Sequence, residues 1–274
     1  MLELPESTTI SHQITDVFAG KTITSVEAAH TAHGFAFYSH DANAYPDLLV
    51  GKTLTACCPA GGIVDLTLGD MQLAFGDGVN IRFIEAGQSL PKKYQLYLAF
   101  DDGNGIVCSV QMYGSMMVYP QGITDNFYYT VAHEKPSPLT DAFDKAYFDN
   151  IVAEADEKLS IKALLATEQR IPGLGNGVLQ DILFNARINP QKKLRDTSKH
   201  ELDAVFSSVK KTMALMIDQG GRDTDKDFFG NPGGYSTILS AKTKGRPCPV
   251  CGGPITRKAF LGGNVYFCPT CQPL

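Results

Sequence analysis

The sequence predicts an α+β protein: an N-terminal helix, a run of short strands, a helical region and a small four-cysteine ribbon at the C-terminus. Three observations carry that prediction. Residues 5–19 set Ile10, Ile14, Val17 and Phe18 at helical spacing, with Gly20 just past the end. From 21 to about 130 the pattern changes to short alternating runs separated by turn residues. From Asp141 the texture is helical, and the chain closes with Cys248, Cys251, Cys268 and Cys271 at metal-ligand spacing.

Within the strand-rich part, LTLGDMQLAF reads as a hairpin turning at Gly69-Asp70, and YQLYLAFDDGNGIVCSV as another turning around Asp102 to Gly105. Repeated hairpins of this kind predict a β-sandwich or a barrel-like domain. AHEKPSPLTDAF, with Pro136 and Pro138, reads as a linker near 132–141. The helical candidates are 141–156, 160–169, 177–187 and 199–218, the last ending at Gly220-Gly221. GGRDTDKDFFGNPGGY then reads as an ordered loop. The expected division is 1–133, 134–243 and 244–274.

Composition narrows the class. Of 274 residues 43% are apolar and 19% charged, enough to bury a core. No apolar run approaches the length of a membrane span, and MLELPESTTI lacks the basic and apolar regions of a secretory signal. Seven cysteines, four of them clustered, point to a reducing compartment, with Cys57, Cys58 and Cys108 as free thiols. His30 and His33 lie close together but without metal spacing.

The net charge of −5 disfavours a uniformly basic nucleic-acid binder. Its distribution does not. Residues 1–157 carry 7 basic and 20 acidic side chains, whereas 158–199 carry 8 and 3, and 241–274 carry 5 and none. Phosphate contacts need local Lys/Arg density, and both basic blocks coincide with the strongest motifs.

The first motif is C-x2-C, sixteen residues, C-x2-C. Four thiolates converging from two short turns suit one structural Zn²⁺ and leave no open coordination position. ITRKAF and NVYF between the pairs alternate like two strands joined at Leu261-Gly262-Gly263, presenting Arg257 and Lys258. Such a hairpin could contact DNA, RNA or protein. The second motif is IPGLGNGVLQDILF: a helix ends, Gly173 and Gly175 permit a tight turn, and another helix begins near Gly177. Free N–H groups at that helix start, with Asn176 in the turn, can bind phosphate. Lys162, Arg170, Arg187, Lys192, Lys193 and Arg195 surround it. Taken alone, the segment reads better as a plain helical hairpin with a glycine cap.

ELPE at Glu3–Glu6, QRIPGLGNGVLQDILFNARINP at 169–190 and the ribbon ending in CQ occur in this order. Together they resemble the formamidopyrimidine-DNA glycosylase and endonuclease VIII family. The resemblance implies an N-terminal helix plus β-sandwich domain, then a helix-two-turns-helix domain with a C-terminal zinc ribbon. It implies a monomer in the bacterial cytoplasm, associated with the nucleoid. It also implies damaged or abasic duplex DNA bound between the domains with a nucleotide flipped out. Asn176, with Gly175, Arg170, Lys162 and Arg257, is the implied DNA-binding set.

In that family the N-terminal amine of a proline, exposed by loss of Met1, forms a Schiff base with the lesion sugar, and the next Glu acts as acid and base. Those roles map onto Leu2 and Glu3. Leu2 departs from proline, and leucine's size predicts that Met1 stays on. The loop that carries a catalytic lysine corresponds to Cys58-Pro59-Ala60-Gly61-Gly62, and the hairpin arginine falls at Gly263 or Asn264. The intercalating loop is Gly76-Asp77-Gly78, and the wedge pair becomes Met112-Tyr113, still able to fill the space left by a flipped base. Two functions follow: a DNA glycosylase with abasic-site lyase activity acting through the N-terminal amine, or a non-catalytic binder of damaged or abasic DNA on the same scaffold.

Overall fold

The computed structural model describes residues 2–274, so the expectation concerning Met1 lies outside the described residues. Helix α1 (Leu4–Phe18) starts with Pro5 in its first turn. Its body buries Ile10, Ile14 and Phe18 in the core of the sheet, while Leu4 belongs to the core of the later helices. One helix therefore joins two hydrophobic cores.

The strands are β1 (Ile23–Ala28), β2 (Ala36–Tyr38), β3 (Leu54–Ala60), β4 (Ile63–Leu68), β5 (Met71–Ile84), β6 (Leu96–Phe100) and β7 (Gly105–Pro120), with a short helix α2 (Tyr45–Leu49) before β3. They pair in the order β1-β6-β7-β5-β4-β3, and β2 adds to β7 in parallel. The two edges then meet: Ile23 N–H donates to the Lys52 carbonyl at 2.9 Å and Leu54 N–H to that of Lys21 at 2.9 Å. The sheet thus folds over on itself around one core, as the repeated hairpins predict. Both expected hairpin turns are in place, with Leu68 opposite Met71 and Ala99 opposite Gly105.

The long strands correct one expectation. Gly76-Asp77-Gly78 lies inside β5, where the register shifts between Asp77 and Val79 and Asp77 takes φ 57°. Such a bulge bends a strand without ending it. Similarly Cys58 to Ala60 belong to β3, and only Gly61 and Gly62 remain as a turn.

A second correction falls on the linker expected from 132. Residues Phe127–Glu134 form helix α3. The aromatic, β-branched composition of FYYTVAHE hides it, but the Asn126 side chain accepts from Tyr129 N–H and starts the helix. Lys135, held extended before Pro136, ends it.

Four helices follow. Those are α4 (Lys145–Glu154), α5 (Ile161–Ala166), α6 (Asn176–Asn185) and α7 (Lys199–Asp218). Asp144, Ser160 and Ser198 cap α4, α5 and α7, Ser198 in a capping box with Glu201. The cap at Asp144 starts α4 later than the expected 141. Glu168 and Gln169, with φ 56° and 49°, turn the chain soon after α5 ends, short of the expected 169. The ribbon is a hairpin of β8 (Thr256–Phe260) and β9 (Gly263–Phe267), turning at Leu261-Gly262. Among the described residues no helix is long and apolar enough to cross a membrane.

Residues 219–235 cross back from the helices to the sheet. Phe228 is fully buried there, 5.8 Å from the Phe83 ring and 6.2 Å from that of Phe18, and its carbonyl accepts from Phe83 N–H at 2.9 Å. Phe228→Ala should lower the unfolding free energy by about 3–5 kcal/mol in denaturant titration, because it empties a closed aromatic cluster. A loss under about 1 kcal/mol would mean that the loop does not anchor there.

Candidate nucleic-acid interface and zinc site

The N-terminus sits at the meeting point of the two cores. The Leu2 side chain is buried in the core of the sheet, and its N–H donates to the Asp77 carbonyl at 2.8 Å. Glu3 is 3% exposed. Its two carboxylate oxygens accept from Gly177 N–H at 2.8 Å and Val178 N–H at 2.7 Å, so it caps the free N–H groups that begin α6.

Arg222, also 3% exposed, joins the same cluster. Its guanidinium donates twice to Glu6, at 2.9 and 2.8 Å, and lies 3.4 Å from Glu3 and 3.2 Å from Asp225. Burial alone would lower the Arg222 pKa, but the carboxylates of Glu3 and Glu6 outweigh it and hold the charge. Burial pushes the Glu6 carboxyl up, against the pull of Arg222. The glycines of the turn make this approach possible. A Cβ on Gly175 would lie 2.5 Å from Glu3 Oε1, and one on Gly177 only 1.6 Å from Arg222 Nη1.

Beside this cluster opens a cleft of about 700 Å³. Leu2, Glu3 and Asp77 line it together with Gly173 to Asn176 of the turn, Tyr113 of β7, Lys162 of α5 and the tip of the ribbon at Leu261 to Gly263. Tyr128 and Tyr129 of α3 form an aromatic wall. Behind that wall Tyr129 O–H donates to buried Asp65 at 2.7 Å. His133 faces acceptors with both ring nitrogens, Asp65 Oδ2 at 3.0 Å and the Tyr129 carbonyl at 2.8 Å. Only the imidazolium can donate to both, and the hydrogen bond to Asp65 raises the pKa of His133 accordingly.

The residues predicted from the sequence are only partly united. Asn176 and Lys162 line the cleft and both hold the ribbon: Asn176 Nδ2 donates to the Asn264 carbonyl at 2.9 Å, and Lys162 Nζ to that of Phe260 at 2.7 Å. Arg257 is exposed on β8 and donates to the Asn264 side chain at 2.8 Å. Met112 is 73% exposed, next to Tyr113. Arg170 is not part of the cleft lining; its guanidinium turns back to Thr167, Ala163 and Glu168. Sequence reasoning missed Arg222, Gln180 and the α3 tyrosines. Gln180 bridges the turn to the ribbon, donating to the Asn176 carbonyl and accepting from Tyr266 N–H.

The four cysteines do converge. Their Sγ atoms all lie within 4.8 Å of one another, with Cys248 and Cys271 at 3.7 Å and Cys251 and Cys268 at 3.4 Å. A tetrahedral Zn²⁺ with Zn–S bonds of about 2.3 Å requires S···S separations of about 3.8 Å, so the donor set fits one zinc ion. Gln272 fastens the site to the helical core, donating to the Ile188 carbonyl at 2.8 Å while accepting from Cys268 N–H.

Residues 135–227 match the formamidopyrimidine-DNA glycosylase H2TH domain, and residues 245–274 match the zinc finger found in FPG and IleRS. The helical domain and the ribbon are of the formamidopyrimidine-DNA glycosylase type. Similar proteins include the formamidopyrimidine-DNA glycosylases of Cytobacillus firmus, 25% identical over 99% of this chain and 100% of that one, and of Legionella pneumophila, 27% identical over 100% and 99%. The fold is that of the Fpg protein of Thermus thermophilus, with TM-score 0.81 at 23% identity, covering 98% of each chain. It is also that of Lactococcus lactis Fpg crystallised with DNA containing an abasic site, with TM-score 0.84 at 22% identity, covering 99% of this chain and 100% of that one.

The zinc-finger match takes in all four cysteines, and the H2TH match takes in Lys162, the 173–177 turn and Arg222. The family ribbon therefore carries structural zinc, with no position open for chemistry. The purified protein should hold about one zinc per chain, and Cys268→Ala should hold none and lose the ribbon's fold, since metal supplies about 10–16 kcal/mol in comparable sites. Metal analysis finding zinc retained in Cys268→Ala would contradict this site.

Proposed function

We propose that this protein recognises duplex DNA carrying a damaged or abasic nucleotide, draws that nucleotide into the cleft, and acts on it as a DNA glycosylase and abasic-site lyase of the base-excision type. The observation that carries this reading is the convergence of Glu3, the 173–177 turn, Lys162 and the ribbon tip on one cleft of about 700 Å³. A flipped nucleotide needs an enclosed site of this kind, with polar groups at its edge and aromatic surface on which a base can stack. The DNA in the Lactococcus lactis complex supports the same partner here.

In this reading Met112 and Tyr113, exposed and adjacent on β7, enter the helix where the nucleotide has left. Asn176, Gly175 and Arg257 hold the phosphates on either side. Asn176 already spends its amide on the Asn264 carbonyl, so its contact with DNA also fixes the ribbon. The amine expected from the sequence is that of Leu2, with Glu3 as the acid and base.

A second reading, the non-catalytic binder, is favoured by one observation. The Leu2 side chain is packed in the core and its nitrogen is engaged with Asp77. A nucleophile needs an available lone pair, and the Leu2 nitrogen, joined to Met1, is a peptide amide whose lone pair is delocalised.

Both readings require lesion-selective binding. A duplex containing a tetrahydrofuran abasic analogue should bind at least about tenfold more tightly than the same duplex intact, measured at fixed salt. Asn176→Ala should weaken both duplexes alike, by roughly tenfold, as expected for one charge-assisted hydrogen bond. Equal binding of the two duplexes by the wild type would remove the damage-recognition reading.

A further inference from the structure

We infer that the space between α3 and the outer face of β5 and β7 is the base subsite of the cleft, with Tyr128 as the surface on which a flat, uncharged base stacks. The inference rests on the proposed reading of the cleft and names the class of lesion it takes: a nucleotide that keeps a planar base, beyond the abasic sugar alone.

Strand alternation builds the floor. Phe75, Met116 and Val118 turn into the core of the sheet, so Ala74, Gly76, Ser115 and Met117 between and beside them face the other way. Register sets these side by side. Phe37 lies opposite Ser115 and Ser115 opposite Gly76 in one row; Met117 lies opposite Ala74 and Ala74 opposite Asp65 in the next. The centre of that floor is small. A Cβ on Gly76 would lie 2.6 Å from Ser115 Oγ, so the glycine keeps the first row low.

Helix α3 covers this face. Tyr129 Oη and His133 Nε2 both reach Asp65 in the second row, at 2.7 and 3.0 Å, and the Tyr129 ring packs 5.7 Å from that of Tyr119. These contacts pin the helix and leave Tyr128 uncovered: it lines the cleft and is 63% exposed. Ala132, four residues on and so on the same side of α3, also lines the cleft and adds little bulk. An aromatic ring held over small residues suits another flat ring better than a sugar. Because the helix is already fixed, ordering that ring on binding costs little.

Charge divides the cleft in the same sense. Glu3 and Lys162 line it beside the 173–177 turn and the ribbon. The lining residues from α3, its cap Asn126 and the face of small residues offer hydroxyl and amide groups but no charge. The charged end suits the sugar and phosphates, and the uncharged end a neutral base.

The test compares three duplexes of one sequence at fixed salt: intact, with a tetrahydrofuran site, and with 5-hydroxyuracil on a 2′-fluoro sugar that resists base release. The wild type should bind both lesion duplexes more tightly than the intact one. Tyr128→Ala should weaken the 5-hydroxyuracil duplex by about fivefold or more while leaving the tetrahydrofuran duplex within about twofold of the wild type. Tyr128→Leu, which keeps apolar surface without a flat face, should behave like Tyr128→Ala, and Tyr128→Phe like the wild type. Equal loss on both lesion duplexes, no loss on either, or full affinity in Tyr128→Leu would each overturn the base subsite and leave damage recognition standing. Failure of the wild type to prefer the tetrahydrofuran duplex to the intact one would overturn the reading and the subsite together.

Discussion

The cleft depends on one buried charge cluster. Arg222 reaches from the loop after α7 to Glu6, Glu3 and Asp225, and Glu3 in turn holds the start of α6. Three separate stretches of chain are thereby fixed to one another at a place where water is excluded. Taking one partner from such a cluster costs about 3–5 kcal/mol, because the remaining charges stay buried without compensation. The arrangement is therefore both a brace and a constraint: Gly175 and Gly177 have no room for any side chain because the brace occupies it.

That brace explains how parts with their own cores can share a site. α1 places Ile10, Ile14 and Phe18 in one core and Leu4 in the other, and Phe228 returns from the helical side to pack on Phe18. The ribbon leans on the same turn through Asn176, Gln180 and Lys162, each bonded to the backbone of its hairpin. Groups far apart in the chain thus line one cleft. The polar bonds that position them are also those a ligand would have to accept or replace.

Much of this was legible in the sequence, and the rest was hidden for physical reasons. α1, α7 and the cysteine hairpin are set by local signals: apolar spacing, the Ser198–Glu201 capping box, and paired cysteines that need only one another. Lys162 and Asn176 were visible as a basic residue and a turn residue, but their common partner, the ribbon backbone, is 98 and 88 residues away. Arg222 lay within a segment that reads as a polar loop, because its bond to Glu6 spans 216 positions. α3 was obscured by its own composition; its tie to Asp65 through Tyr129 and His133 spans 64 and 68 residues. Leu2 was read as the site of the reactive amine from its place in the chain. Its burial becomes evident only when the sheet closes over it.

In the proposed reading, the cleft between the Glu3-capped turn, the ribbon tip and the β7 edge receives the damaged strand. Hydrogen–deuterium exchange of the protein with and without a tetrahydrofuran duplex measures this most directly. New protection is expected at 173–178, at 260–266 and around 112–115, with little change along β3 and β4 away from the turn between them. Protection confined to surfaces outside the cleft, with the duplex demonstrably bound, would contradict it.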